Sequence, residues 1–115
     1  MKKAVTIKEN HEFRRLYSKG KSAVGPAMVL YCRKNRRGLS RLGLTASTKL
    51  GGAVVRNRAR RRLREVYRLS LPHLQPGYDL VLVARSRVLT APFSQLLSGF
   101  ERQCRKLGIW REEEP

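Results

Sequence analysis

Cysteine, histidine and acidic residues are scarce in this 115-residue chain, which has two cysteines, two histidines and eight aspartates and glutamates. Cys32 and Cys104 match no metal-binding or redox spacing, so we predict two buried thiols and no metal site on the protein. Three of the eight acids lie among the last four residues, and the others are scattered over distant segments. Because a nuclease that uses two metal ions needs clustered carboxylates, we expect no catalytic residues on this chain.

Long apolar runs are also missing. No segment approaches the ~18 apolar residues of a membrane span, and the first residues lack the apolar stretch of a signal peptide. The hydrophobic fraction of 41% nevertheless argues against a disordered chain. We therefore expect a cytoplasmic protein with no membrane partner. It would be a single domain over residues 1–115, with a folded core at 8–108 and a frayed acidic tail at 109–115.

Positive charge is abundant. Lysine and arginine total 26 against eight acidic residues, which gives a formal net charge of +18. Such a surplus destabilises a compact domain by self-repulsion unless an anionic partner neutralises it. A polyanion is therefore the expected partner, and RNA is favoured over DNA because no helix-turn-helix pattern or dimer-forming stripe is present.

Hydrophobic periodicity predicts an α+β fold, an α/β sandwich with three helices and a mixed four-stranded sheet. The first helix follows a possible capping box from Thr6 to Glu9, and Gly108 is the expected end of the last helix, which begins after Pro92. The predicted helices and strands, in chain order, are a helix at 8–18, a short extended piece at 21–24, strands at 27–33 and 41–47, a helix at 52–69, a strand at 79–84 and a helix at 93–107.

The helix predicted at 52–69 is unusually rich in arginine, with seven between Arg56 and Arg68 and a single acid, Glu65. At about 100° per residue its apolar side chains share one arc. The opposite arc gathers Asn57, Arg60, Arg61, Arg64 and Arg68. A solvated charged face usually mixes both signs, whereas like charges four residues apart on a helix destabilise it. The pattern therefore favours a phosphate-binding helix, since arginine makes planar, bidentate phosphate contacts.

The segment from Lys49 to Glu65, with Arg56-Asn57-Arg58 at its centre, resembles the signature of the protein component of bacterial ribonuclease P. The resemblance covers about residues 8 to 106. Four further segments occur in the order and spacing of that family: Glu12-Phe13 with Tyr17, Val29-Leu30-Tyr31, Arg41-Leu42-Gly43-Leu44, and Asp79-Leu80-Val81-Leu82-Val83-Ala84-Arg85.

The resemblance implies a subunit of the endonuclease that removes the 5′ leader from precursor transfer RNA. In that family the RNA subunit holds the catalytic Mg²⁺ ions and the protein has no active site. It implies one protein per catalytic RNA and a left-handed βαβ crossover. The residues it assigns to the catalytic RNA are Lys49, Arg56, Asn57, Arg58, Arg60, Arg61, Arg64 and Arg68. The alternative is a ribosomal or other structural RNA-binding protein.

The resemblance also implies a cleft for the single-stranded leader between the first helix and the sheet. Physical reasoning points to the same region, because aromatic rings beside a cation suit unstacked bases. The other interpretation of Phe13 is a core residue, since it shares a helical apolar stripe with Leu16. The predicted leader-binding residues are Phe13, Tyr17, Val29, Tyr31 and Arg33.

Overall fold

Three helices and five strands make up the part of the chain described by the structure, a computed structural model covering residues 5–112. The helices are rich in leucine and arginine, and the longer strands alternate side chains between two faces. The elements in chain order are β1 (Val5–Thr6), α1 (Asn10–Lys19), β2 (Lys21–Val24), β3 (Met28–Lys34), β4 (Arg41–Thr45), α2 (Ala53–Ser70), β5 (Tyr78–Ala84) and α3 (Phe93–Lys106).

The strands form one mixed sheet in the order β1-β4-β5-β3-β2. β4 lies parallel to β1 and to β5, whereas β3 pairs antiparallel with both β5 and β2. The α+β class is confirmed, but the prediction of four strands is wrong by one. The additional strand is β1, which spans two residues opposite Arg41 and Leu42 and is too short to show any periodicity. The β4–α2–β5 segment is the expected crossover between parallel strands, and its left-handed sense stays a prediction.

The two faces of the sheet are covered differently. Alternate residues such as Leu30 and Leu82 point towards α2 and α3 and belong to the main core, which also contains Phe100. Burying a side chain of this size stabilises the fold by about 1.5–3 kcal/mol. On the other face α1 is the helix of residues 5–112 that packs on the sheet, where Leu16 and Ile7 form a small buried cluster with Val81. Much of that second face is therefore left for contact with other molecules.

The folded part is wider than the predicted 8–108. Ile7 is only 4% exposed and Ile109 only 1%, and Trp110 forms an isolated β-bridge with Leu74. The predicted tail at 109–115 therefore begins later, because the chain after α3 packs back onto the segment that follows α2. Residues 113–115 of that tail lie outside the described residues.

Two smaller predictions have different outcomes. Helix α1 begins at Asn10 after Glu9, which makes no side-chain cap, so the predicted capping box at Thr6 is wrong. The prediction for the cysteines is confirmed, because Cys32 and Cys104 are both buried free thiols. Their burial raises the pKa of each thiol.

Candidate nucleic-acid interface

Helix α2 has a buried side and a charged side, as its periodicity predicts. Ala59, Leu63, Val66 and Tyr67 are buried, whereas Val55, which the sequence places on the same arc, is half-buried. The opposite side is exposed. It presents Asn57, Arg58, Arg61 and Arg64 to solvent.

The predicted RNA-binding arginines of α2 differ in whether they contact other side chains of the helix. Arg60 is half-buried and donates to Asn57 Oδ1 at 3.0 Å, which holds both side chains on the helix surface. Arg68 forms an ion pair with Glu65, and this pairing lowers the pKa of the glutamate and raises that of the arginine. Arg68 is therefore partly neutralised, whereas Arg61 and Arg64 form no ion pair with any residue of the described chain.

Arg62 has a structural contact instead of an exposed position. Its Nη1 donates to the Val88 carbonyl at 2.7 Å, and its guanidinium lies 6.0 Å from the centroid of the Phe93 ring. These contacts tie α2 to the turn before α3 and to the first residue of α3. Arg62 belongs to the basic run of the sequence but is not among the predicted RNA-binding residues, and its contacts in the structure are within the protein.

Further cations and free backbone amides lie near the start of α2. Lys49 is exposed in a 3₁₀ turn at Thr48–Leu50, and the following Gly51 has a φ of +144°, a conformation that favours glycine. The helix then begins after Gly52 with no side-chain cap. Arg56, in its first turn, has a buried Nε with no hydrogen-bond partner among residues 5–112. Uncapped first-turn amides and neighbouring cations make this end of the helix favourable for an anion.

Three aromatic rings lie together on the open face of the sheet. The Tyr17 ring meets the Tyr31 ring edge to face, with centroids 4.9 Å apart, and its centroid is 6.5 Å from that of Phe13. Tyr17 is 42% exposed, whereas Phe13 and Tyr31 are partly buried against the Leu16 cluster. Phe13 therefore combines both interpretations, since it packs on the core and contributes to an exposed aromatic group.

The remaining predicted leader-binding residues lie on the same face of β3. Val29 is half-buried, pairs with Val83 and lies two residues from Tyr31 along the strand. Arg33 lies two residues from Tyr31 in the other direction and lines a different pocket, together with Glu12 and Arg15. The structure thus brings Phe13, Tyr17, Val29 and Tyr31 to one region and places Arg33 in a neighbouring pocket on the same face of β3.

A buried ion cluster lies under the start of α1. Arg41 is 9% exposed, and its Nε and Nη2 donate to the two carboxylate oxygens of Asp79 at 2.9 and 2.7 Å. The same Nη2 donates to Glu12 Oε2 at 2.7 Å. The sequence predicts a strand at 41–47 but gives no sign of this role for Arg41. No sequence pattern could have revealed the cluster, because Glu12, Arg41 and Asp79 lie on three different elements that only the fold brings together.

Neither a metal site nor a membrane span is found in the described part of the chain. Within residues 5–112, no group of three histidine, cysteine, aspartate or glutamate side chains is arranged to hold a metal ion. No helix in this range is both long and apolar enough to cross a membrane. The exposed chemistry of the fold is thus basic and aromatic.

Comparisons with known proteins agree with this chemistry. The family model of ribonuclease P matches residues 1–108. The chain belongs to the ribonuclease P protein family. The ribonuclease P protein component of Symbiobacterium thermophilum is 40% identical over 114 residues, 98% of this chain and 99% of that protein. That of Thermoanaerobacter sp. strain X514 is 36% identical over 113 residues, 98% of this chain and 97% of the other.

A solved structure extends the family likeness to the fold. The Staphylococcus aureus ribonuclease P protein is 31% identical, with a TM-score of 0.81 over 95% of this chain and all of the other. The resemblance inferred from the Arg56-Asn57-Arg58 segment is confirmed by the family match, and the α+β class by this structure. The chain is a ribonuclease P protein subunit, and the ribosomal-protein alternative finds no support in these comparisons.

Proposed function

We propose that this subunit binds the catalytic RNA of ribonuclease P through the exposed side of α2 and takes part in removing the 5′ leader from precursor transfer RNA. The observation that carries the proposal is that Arg61 and Arg64, one helical turn apart on the exposed side of α2, form no ion pair with any residue between 5 and 112. The predicted contacts to the catalytic RNA are Lys49, Arg56, Asn57, Arg58, Arg60, Arg61, Arg64 and Arg68.

The chemistry of cleavage belongs to the RNA subunit in this proposal. Support comes from residues 5–112, where no group of three histidine, cysteine, aspartate or glutamate side chains is arranged to hold a metal ion that could activate water. The RNA subunit would hold the Mg²⁺ ions, with one protein per RNA, in the cytoplasm where transfer RNA is processed. The protein supplies positive charge and a surface for the leader.

Cleavage of a precursor transfer RNA tests this division of labour. The protein with Mg²⁺ alone should leave the substrate intact, and addition of a bacterial catalytic RNA should produce specific 5′ processing. Specific cleavage that follows the protein through purification without RNA would contradict the proposal. Failure of the protein to bind the catalytic RNA at any salt concentration would also contradict it.

The arginine side of α2 is tested by the salt dependence of RNA binding. Binding that displaces counterions from ~6 to 10 phosphates weakens by about three to five orders of magnitude between 50 and 200 mM salt. Replacing Arg61 and Arg64 together by alanine should lower the slope of log affinity against log salt by up to ~2. A matched variant, Arg102→Ala with Lys106→Ala, also removes two exposed cations but from α3. If both variants changed the slope equally, general charge and not α2 would determine binding.

The aromatic group is the proposed surface for leader bases, with Phe13, Tyr17, Val29 and Tyr31 as its residues. Tyr17 is the best residue to change, because its ring is 42% exposed and truncation removes little core packing. Tyr17→Ala should weaken binding of precursor transfer RNA by about 1–3 kcal/mol, the range for one lost base stack. Binding of mature transfer RNA should change little.

The control is the melting temperature of the same variant. A large fall in melting temperature with an equal loss of affinity for both transfer RNAs would identify Tyr17 as a structural residue and contradict a base-stacking role.

A further inference from the structure

Helix α1 divides the open face of the sheet into two sides. Phe13 and Tyr17 lie on the side of Tyr31 and form the aromatic group. Glu12 and Arg15 line a pocket on the other side, and Leu16 contributes to its wall while also packing on the sheet. The face that carries the proposed leader surface thus has a second concave region beyond the helix.

This second region, the α1–loop pocket, has a volume of about 460 Å³ and lies between α1 and the loop that joins β3 to β4. That volume lies within the ~300–1,000 Å³ typical of ligand pockets. Six cationic and two acidic side chains contribute to it. The lining residues are Glu12, Arg15, Leu16, Arg33, Lys34, Asn35, Arg36, Arg37, Arg41 and Asp79.

The loop is held in place by Asn35. Its side-chain amide donates to the Leu39 carbonyl at 3.0 Å and to Asp79 Oδ1 at 2.8 Å, and its Oδ1 accepts from the Arg37 amide at 2.9 Å. Its own backbone amide donates to the Gly77 carbonyl at 2.8 Å. The loop is therefore ordered before any ligand arrives, which reduces the entropy that Arg37 and its neighbours lose on binding.

The two acids of the pocket are already occupied by Arg41. One guanidinium balances one of these two carboxylate charges, so the six cations of the pocket still exceed its two acids by four charges. Arg37 approaches Glu12 only at 4.0 Å and stays 57% exposed. Arg15, Arg33, Lys34 and Arg36 form no ion pair with any residue between 5 and 112.

We propose that the α1–loop pocket binds a phosphodiester group of RNA. Several convergent cations without acidic partners suit an anion, and guanidinium groups suit the planar, bidentate contacts that phosphate offers. This inference rests on the proposed function. The phosphate can come from leader nucleotides that extend past α1 from the aromatic group or from the catalytic RNA, and the two sources predict different measurements.

The spacing of side chains on β3 is compatible with the leader as the source of the phosphate. Tyr31 and Arg33 are alternate residues of β3 on the same face, so they are spaced about 7 Å apart along the strand. This spacing is comparable with the distance between phosphates in an extended single strand. A leader whose bases meet the aromatic group therefore has its next phosphates within reach of the pocket.

The test uses a pocket variant, Arg15→Ala with Arg36→Ala, in the full-length protein. Both side chains are exposed, so the fold should be unaffected, and the melting temperature checks this. The control is Arg102→Ala with Lys106→Ala, which removes the same charge from the exposed surface of α3. Affinity for the catalytic RNA is measured between 50 and 200 mM salt. Holoenzyme affinity is then measured for precursor transfer RNAs with leaders of about four and about twelve nucleotides, within the range of single-strand sites.

Each source gives its own result. If the catalytic RNA supplies the phosphate, the pocket variant should lower the salt slope for that RNA by ~1.4 more than the control does. Between 50 and 200 mM salt, the affinity of the pocket variant for the catalytic RNA would then fall by a factor about sevenfold smaller than that of the control. If the leader supplies it, the variant should lose affinity for the long-leader substrate only.

Two outcomes would overturn the inference. Equal behaviour of the pocket variant and the control in both measurements, in a holoenzyme that still processes precursor transfer RNA, would overturn the pocket alone. Failure of the unmodified protein to bind the catalytic RNA would overturn the proposed function and this inference together.

Discussion

Replacing Arg41 by methionine removes a guanidinium while keeping a long side chain in the same place. Three hydrogen bonds are lost, and the carboxylates of Glu12 and Asp79, whose side chains are 17% and 14% exposed, remain without their cation. Breaking a buried ion pair by removing one partner costs about 3–5 kcal/mol. Because both acids keep some contact with solvent, we expect about 3 kcal/mol, or roughly 12 °C in melting temperature for a domain of this size.

The pH dependence of this loss has a definite sign. The hydrogen bond from Arg41 lowers the pKa of Glu12. Burial alone would raise the pKa of Asp79, but its hydrogen bonds to Arg41 and Asn35 outweigh burial and lower it. Groups with a lowered folded-state pKa stabilise the fold above their unfolded pKa of about 4, and this contribution disappears as the pH falls through the lower value. The difference between the native protein and Arg41→Met should therefore be greatest near neutral pH and shrink in acid.

Urea unfolding followed by circular dichroism, repeated from pH 7 down to about pH 3, measures both effects. The matched control is Arg37→Met, which removes the same charge beside the same cluster. Its 4.0 Å contact to Glu12 is exposed, so it should cost less than about 1 kcal/mol. Equal losses for the two variants at neutral pH, or a loss at Arg41 that does not change with pH, would refute the reasoning.

Two further predictions concern packing. A methyl group on Gly43 would lie 2.7 Å from the Phe13 ring, so Gly43→Ala should lower the free energy of unfolding by about 1–3 kcal/mol. The same substitution in a Phe13→Ala background should cost much less, which a double-mutant cycle in urea measures. Cys32 and Cys104 are buried with raised pKa values, so a thiol reagent at neutral pH should modify them only as the protein unfolds. Fast labelling of both thiols in the folded protein would contradict this placement.

Sequence periodicity predicted the parts of the fold that depend on local patterns. Helix α2 is the best example, because its apolar arc is wide and its arginine arc has almost no acids, and the structure buries Leu63 and exposes Arg64 accordingly. The family resemblance then identified the function class through the Arg56-Asn57-Arg58 segment, which single-residue patterns would not have done.

What sequence patterns missed depends on long-range pairing. Strand β1 has two residues and exists because β4 offers it an edge. The cluster around Arg41 joins residues that are 29 and 38 positions apart, so no local signal reveals it. The segment with Arg36 falls between the strands predicted at 27–33 and 41–47, but its role as one wall of a pocket depends on where α1 crosses the sheet.

The inward contacts of Arg62 have a practical consequence for protein engineering. A researcher who wishes to reduce non-specific nucleic-acid carry-over during purification would remove arginines from α2, and substituting Arg61 or Arg64 breaks no hydrogen bond or ion pair to residues 5–112, although both are proposed contacts to the catalytic RNA. Arg62 cannot be treated in the same way. Lysine there would keep the charge but lose the planar group that reaches the Val88 carbonyl and lies near the Phe93 ring. Two neighbours of identical chemistry thus tolerate very different substitutions.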